Sequence, residues 1–146
     1  MTRPGILVAL LSLALFSCTR SVDRLRTNND SLEGNWRMVA VKDNSTGFIQ
    51  SKPGAIPGDV DVTFVAVTTG NGFINGKTPT NTLYADYRLG EIDGITIPSV
   101  AATKVAETSW GLDFLYNITK ANTYSFEQDG KLRIHTEKKT LFFERN

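Results

Sequence analysis

The sequence predicts a mainly β (α+β) protein, in which a small antiparallel barrel-like sheet of about eight strands is joined by one helix before the last hairpin. From residue 32 onward, most segments alternate apolar and polar residues with a period of two, which is typical of strands with one buried face. Turn-forming residues separate these segments, and one stretch, residues 107–121, has helical spacing instead. Closing the sheet into a barrel would also remove exposed strand edges.

Eight short segments carry the strand pattern: residues 35–41, 59–67, 73–75, 83–89, 94–98, 124–126, 132–136 and 140–144. In the first segment the alternation places Trp36, Met38 and Ala40 on one face. Residues 45–58 are rich in glycine and proline, so they predict a long loop between the first two strands.

Two tight turns are predicted from short glycine-containing sequences. Thr69-Gly-Asn-Gly72 predicts a reversal leading into the third strand. Gln128-Asp-Gly-Lys131 predicts a hairpin with Asp-Gly as a two-residue turn. Each turn therefore joins two antiparallel strands.

The helix is predicted within residues 107–121, with Thr103 or Thr108 capping its start and Asn122 ending it. We expect it to lie against the sheet or to close one end of the barrel. The residues that recur near helical spacing are Trp110, Leu112, Phe114, Leu115 and Ile118.

The N-terminal segment has the anatomy of a secretory signal peptide. Arg3 gives a positive start, and residues 6–16 form an apolar run that is too short to cross a bilayer as a helix. The following Leu15-Phe-Ser-Cys18 is similar to the bacterial lipobox, in which the cysteine is diacylated and becomes the new N-terminus. Cys18 is the only cysteine, so its acylation leaves no thiol for disulfides, metal binding or catalysis.

This pattern divides the chain into three parts. We expect a lipoprotein signal peptide at residues 1–17, the lipidated cysteine and a flexible tether at residues 18–31, and one β domain at residues 32–146. Thr19-Arg20 after the cysteine lacks the aspartate that retains lipoproteins at the inner membrane. We therefore expect a monomer held by the lipid on Cys18 in the bacterial outer membrane, facing the periplasm.

Charge argues against a nucleic-acid partner. Removing residues 1–17 removes Arg3 and no acidic residue, so Lys plus Arg falls from 16 to 15 and equals the 15 Asp plus Glu. A neutral mature chain does not have the basic footprint that nucleic-acid binding requires.

Residue patterns typical of catalysis are missing from the sequence. It has no Gly-x-Ser-x-Gly elbow, no His-Glu-x-x-His and no glycine-rich loop opening a helix. The single histidine, His135, is expected on the solvent side of its strand. Asp59, Asp61 and Asp86 could supply paired carboxylates for acid–base chemistry, but alternation of polar residues on half-exposed strands explains them as well. The sequence therefore predicts no enzyme, no metal site and no cofactor.

Aromatic residues are the better candidates for a functional surface. Tyr84, Asp86, Tyr87 and Trp110 form a candidate ligand or partner surface, because tyrosine and tryptophan combine apolar area with a polar tip. Tyr84 and Tyr87 are three apart on a strand, so at least one of them should point outward or into a cavity. For Trp36, Tyr87 and Trp110 the sequence favours positions in the core, and an exposed aromatic patch for a partner is the alternative.

The order of these segments resembles that of the META domain, the domain of the HslJ heat-shock lipoproteins. Leu32-Glu-Gly-Asn-Trp36 is similar to its opening Leu-x-Gly-x-Trp, Asn81-Thr-Leu-Tyr-Ala-Asp-Tyr87 to its central motif, and Thr103-Lys-Val-Ala-Glu107 to its Thr-x-Met-Ala-Cys followed by an acidic residue. Thr80 and Ala106 stand where the family often has cysteine, so no redox or disulfide role carries over. The resemblance implies a binding or stabilising module of undefined activity in the envelope, linked to envelope stress.

A second resemblance is to lipocalins and other calycins, whose first strand carries Gly-x-Trp. Gly34-Asn-Trp36 matches that motif, and Arg145 could be the late arginine that packs on the tryptophan in those proteins. This resemblance implies the alternative function, a carrier with an internal cavity for a small apolar ligand.

Overall fold

The computed structural model describes residues 31–146. The predicted signal peptide, Cys18 and all of the predicted tether except Ser31 lie outside the described residues. The described elements are β1 (Gly34–Asp43), β2 (Ile49–Ser51), β3 (Asp61–Thr68), β4 (Asn71–Lys77), β5 (Thr82–Leu89), β6 (Ile95–Thr96), β7 (Ala101–Ala102), α1 (Ser109–Ile118), β8 (Thr123–Phe126), β9 (Leu132–His135) and β10 (Lys139–Arg145).

Eight of the strands form a nearly closed antiparallel barrel. Their order is β6-β5-β4-β3-β1-β10-β9-β8, with β2 added beside β1 and β7 beside β5. The two ends of this order meet, because the Ile95 amide donates to the Asn122 carbonyl at 3.0 Å and the Tyr124 amide donates to the Asp93 carbonyl at 2.9 Å. Over residues 31–146 the predicted fold class is therefore confirmed, including one helix before the last hairpin.

The core lies inside the barrel and is built by the alternating side chains of the strands. On β5 the pattern is regular, since Leu83, Ala85 and Tyr87 are buried and the residues between them are exposed. The predicted core residues Trp36 and Trp110 have exposures of 0% and 1%, so these core predictions are confirmed.

Helix α1 is held against this core by its apolar side. Thr108 is the N-cap, as one of the two predicted alternatives, and its hydroxyl accepts from the Gly111 amide at 3.1 Å. Phe114 packs edge-on against Phe143 of β10, with ring centroids 6.4 Å apart. The helix ends at Ile118, before the predicted Asn122, and Leu112, expected on the apolar side, is half exposed.

The first and last strands of the barrel are neighbours, and Arg145 joins them. Its guanidinium lies over the Trp36 ring, 4.5 Å from the centroid, and donates to the carbonyl oxygens of Ser31 at 2.8 Å and Glu33 at 3.3 Å. The Trp36 indole N–H donates to the Leu32 carbonyl at 2.8 Å. The arginine–tryptophan contact that the resemblance to calycins predicts is therefore present.

Two strand predictions differ from the structure. The predicted loop 45–58 contains the short strand β2, which pairs with Ala40–Lys42 of β1. The predicted strand 94–98 is confined to Ile95–Thr96, and the chain pairs again with β5 only at Ala101–Ala102. Pro98 between these segments has no amide to donate, so the ladder is interrupted there.

Two details of register also differ from prediction. A bulge in β1 between Met38 and Ala40 moves the buried position to Val41, so Ala40 does not continue the buried face. In the β8–β9 hairpin the Glu127 amide donates to the Lys131 carbonyl at 2.8 Å, which leaves a three-residue loop instead of two. Gly130 closes this loop with a left-handed φ of 79°, the usual position for glycine in such loops.

Candidate functional site

The candidate site lies on the outer surface of the barrel, where β4, β5 and β7 run side by side. Its residues are Phe73 and Asn75 on β4, Tyr84 and Asp86 on β5, and Ala101 on β7, and we call this set the aromatic face. Tyr84 is paired with Asn75 on one side and with Ala101 on the other, and Phe73 is paired with Asp86. The alternation of each strand turns these side chains away from the core.

The two aromatic rings of this surface lie nearly parallel. The centroids of Phe73 and Tyr84 are 5.7 Å apart and their planes differ by 22°. Tyr84 is 45% exposed, whereas Phe73 is partly buried. Phe73 therefore supports one side of the tyrosine ring and leaves the rest of that ring accessible.

Asp86 fixes the polar end of Tyr84. The Tyr84 hydroxyl donates to Asp86 Oδ1 at 2.8 Å. This hydrogen bond, followed by partial desolvation and the negative charge of Asp86, raises the pKa of the Tyr84 phenol. Within residues 31–146, neither Asp86 Oδ2 nor the Asn75 side-chain amide has a hydrogen-bond partner, so both remain available to a ligand.

The other two residues of the predicted surface lie elsewhere. Tyr87 is 2% exposed and packs against Phe64 with ring centroids 5.5 Å apart, and Trp110 is 1% exposed on α1. Both belong to the core cluster, so the structure brings together only Tyr84 and Asp86 of the four. Sequence reasoning missed Phe73 and Asn75 because their place beside Tyr84 depends on the β4–β5 register.

The interior of the barrel is filled by side chains. Trp36, Met38, Leu132, Leu141 and Phe143 each have 0% exposure, so no water-sized space adjoins them. Two surface depressions, in contrast, are lined largely by polar side chains, one along the β8–β9 hairpin and one between the end of α1 and the β9–β10 turn. The described interior therefore offers little room for an apolar ligand.

A partly buried polar cluster around Asn81 anchors the chain between β7 and α1. Asn81, which is 4% exposed, donates to Glu107 Oε2 at 2.7 Å and accepts from the Val105 amide at 2.9 Å and the Thr103 hydroxyl at 2.9 Å. Burial alone raises the pKa of Glu107, but hydrogen bonds from Asn81, Thr78 and Thr108 outweigh it and lower the pKa. These groups satisfy one another, so the cluster is structural.

The other titratable candidates are also engaged in structural contacts. His135 is partly buried instead of facing solvent freely, with Nε2 2.9 Å from the Ser125 hydroxyl and Nδ1 3.3 Å from the Thr140 hydroxyl. Asp59 and Asp61 both form ion pairs with Arg37, at 3.6 Å and 2.9 Å. Asp86 lies on the aromatic face, separate from that pair.

Comparison with protein-family models, curated proteins and solved structures gives no match to this chain. Within residues 31–146 there is no helix long and apolar enough to cross a membrane. The same residues contain no group of three or more His, Cys, Asp or Glu side chains arranged to hold a metal ion.

Proposed function

We propose that this chain is a non-enzymatic lipoprotein of the bacterial envelope that binds a partner through the outer surface of its barrel. The observation that carries this proposal is the aromatic face, where Tyr84 stands exposed and stacked on the partly buried Phe73, on a barrel whose interior is packed. Exposed aromatic side chains next to polar groups are typical of contact surfaces.

The envelope location rests on the N-terminal sequence. Residues 1–17 and Cys18 carry the signal-peptide and lipobox pattern, and two or more acyl chains give stable anchoring at about 0.8 kcal/mol per buried methylene. We propose that the barrel faces the periplasm from the outer membrane. The resemblance to META domains supports a binding or stabilising role of this kind.

Binding at the outer surface explains the structure better than carriage of a ligand inside the barrel. The Arg145–Trp36 contact favours a calycin-like barrel, but a carrier needs a cavity of several hundred Å³. Trp36 itself, together with Phe143 and Leu132, occupies the interior at 0% exposure. We therefore place the binding function on the aromatic face.

A photo-crosslinking experiment tests the binding surface. Tyr84 is replaced by benzoylphenylalanine in the full chain expressed in bacteria, and irradiated products are identified by mass spectrometry. Tyr116, which is 70% exposed on α1, receives the same replacement as the control. We expect a discrete envelope adduct from position 84 and none from position 116; equal or absent adducts would contradict the proposal.

The anchor has a separate test. We expect mass spectrometry of the mature N-terminal peptide to find diacylated Cys18, and Cys18→Ala to move the protein out of the membrane fraction. An unmodified Cys18 in a membrane-bound protein would refute lipid anchoring and leave the binding surface as an independent question.

A further inference from the structure

The surroundings of Tyr84 define the shape of what can bind there. Phe73 covers one side of the tyrosine ring, at a centroid distance of 5.7 Å. The β7 neighbour of Tyr84 is Ala101, which is exposed and whose methyl group is too short to cover the ring. A shallow shelf is therefore left beside Tyr84, above Ala101, and it is suited to a flat ring with an apolar side.

The rim of this shelf carries polar groups that can still donate or accept hydrogen bonds. Asp86 Oδ1 already accepts from the Tyr84 hydroxyl, but Oδ2 has no partner among residues 31–146 and can accept from a ligand hydroxyl. Asn75, directly opposite Tyr84 on β4, presents an amide that can both donate and accept. An aromatic ring, a carboxylate oxygen and an amide thus meet within one small area.

These groups complement a sugar ring better than other ligand classes. The axial C–H groups of a β-linked pyranose pack on an aromatic ring, and its hydroxyls are donors for a carboxylate. An acetamido substituent has one donor and one acceptor, which matches the side-chain amide of Asn75. The carboxylate of Asp86 would repel phosphate groups, and a purely apolar ligand would leave both rim groups unpaired.

We propose that the aromatic face binds the glycan of peptidoglycan, with an N-acetylated aminosugar stacked on Tyr84 and held by Asp86 and Asn75. This inference rests on the proposed envelope function. If Cys18 is the lipid attachment point, residues 18–31 can extend at most about 50 Å, so the barrel stays close to the membrane and to the glycan beside it.

Binding is tested with the full chain purified from membranes in detergent. The probes are the β-1,4-linked tetramer of N-acetylglucosamine and cellotetraose, which has the same linkage without acetamido groups, both measured by calorimetry. We expect the acetylated tetramer to bind more tightly, and Tyr84→Ala to weaken it at least tenfold. Asn75→Ala should remove the preference for the acetylated tetramer, and Tyr116→Ala should change nothing.

One further variant and two further probes decide the interpretation. Tyr84→Phe keeps the ring, so it should retain most of the binding that Tyr84→Ala loses, which separates stacking from a loss of fold. Sedimentation with isolated sacculi should remove the wild-type chain from solution. The lipid-free polysaccharide of lipopolysaccharide, into which the lipid on Cys18 cannot insert, should not bind in the same calorimetric titration. Lack of tetramer binding, equal binding of cellotetraose, or binding to the lipopolysaccharide sugar alone would overturn the inference.

Failure of this inference can be told apart from failure of the proposed function. A protein adduct from the crosslinker at position 84, with no binding of either sugar, would overturn the glycan and leave the binding surface in place. No adduct and no sugar binding would overturn both. A glycan-bearing adduct at position 84 would support both.

Discussion

Replacing Asn81 with alanine should destabilise the barrel, because this one side chain connects β5 to the segment that leads into α1. It donates to the Val105 carbonyl at 3.0 Å and to Glu107 Oε2 at 2.7 Å, and it accepts from the Val105 amide at 2.9 Å. Each buried group left without a partner costs about 1–3 kcal/mol. Since Val105 is 58% exposed, water can replace some of the hydrogen bonds that its backbone loses. We therefore expect Asn81→Ala to lower the free energy of unfolding by about 2–4 kcal/mol.

This prediction is checked by urea unfolding followed through the fluorescence of the two tryptophans, both of which are buried. With a slope of about 2 kcal/mol per molar urea, the middle of the usual range, the midpoint should fall by about 1–2 M. Asn75→Ala, on the exposed face, is the matched control and should stay within about 0.5 kcal/mol of wild type. A similarly small change for Asn81→Ala would refute the structural role of the cluster.

The charge of Glu107 allows a second test of the polar cluster around Asn81. Asn81→Asp would place a carboxylate where an amide now donates to Glu107, so it should destabilise the protein at neutral pH. Protonation of either carboxyl at acid pH should recover part of the loss. If Asn81→Asp were as stable as wild type at pH 7, the contact with Glu107 would not matter energetically.

Three other changes have defined outcomes. Phe143→Ala should lower the free energy of unfolding by about 3–5 kcal/mol in urea titrations, because it removes a fully buried ring. Arg145→Ala, compared with Arg145→Lys, should lower it by about 1–2 kcal/mol by removing the contact with Trp36 and two hydrogen bonds to carbonyls. Burial, followed by a nearby arginine charge, lowers the pKa of His135 below 6.5. Stability should therefore fall as pH drops below about 6.5, and thermal melts of His135→Gln should have a flatter acid side.

The barrel strands could be predicted because burial of one face makes apolar and polar residues alternate along each strand. The prediction failed where this alternation is absent or misleading. β2 is three exposed residues with no alternation, and it exists only through its pairing with β1. The bulge after Met38 moves burial to Val41, a shift that depends on the partner strand β10 and not on the local sequence.

The candidate site could be predicted only in part, for a similar reason. Alternation along one strand separates Tyr84 from Tyr87, and the structure places them on opposite sides of the sheet. The neighbours of Tyr84, Phe73 and Ala101, come from other strands, and their positions follow from register between strands. Whether a barrel is filled or hollow likewise depends on how its strands are staggered, and the amino-acid sequence does not reveal this stagger.

The pairing of β1 with β10 has a consequence for how the chain is made. The first barrel strand can pair with β3 early, but its other neighbour, β10, is available only when residues 139–145 have been synthesised, since β1 and β10 are at opposite ends of the domain. Until then its Trp36 lacks the cover that Arg145 provides. Such distant pairings slow folding and leave apolar surface exposed to aggregation or to chaperones. A truncation of even the last few residues should therefore be far more harmful than its length suggests.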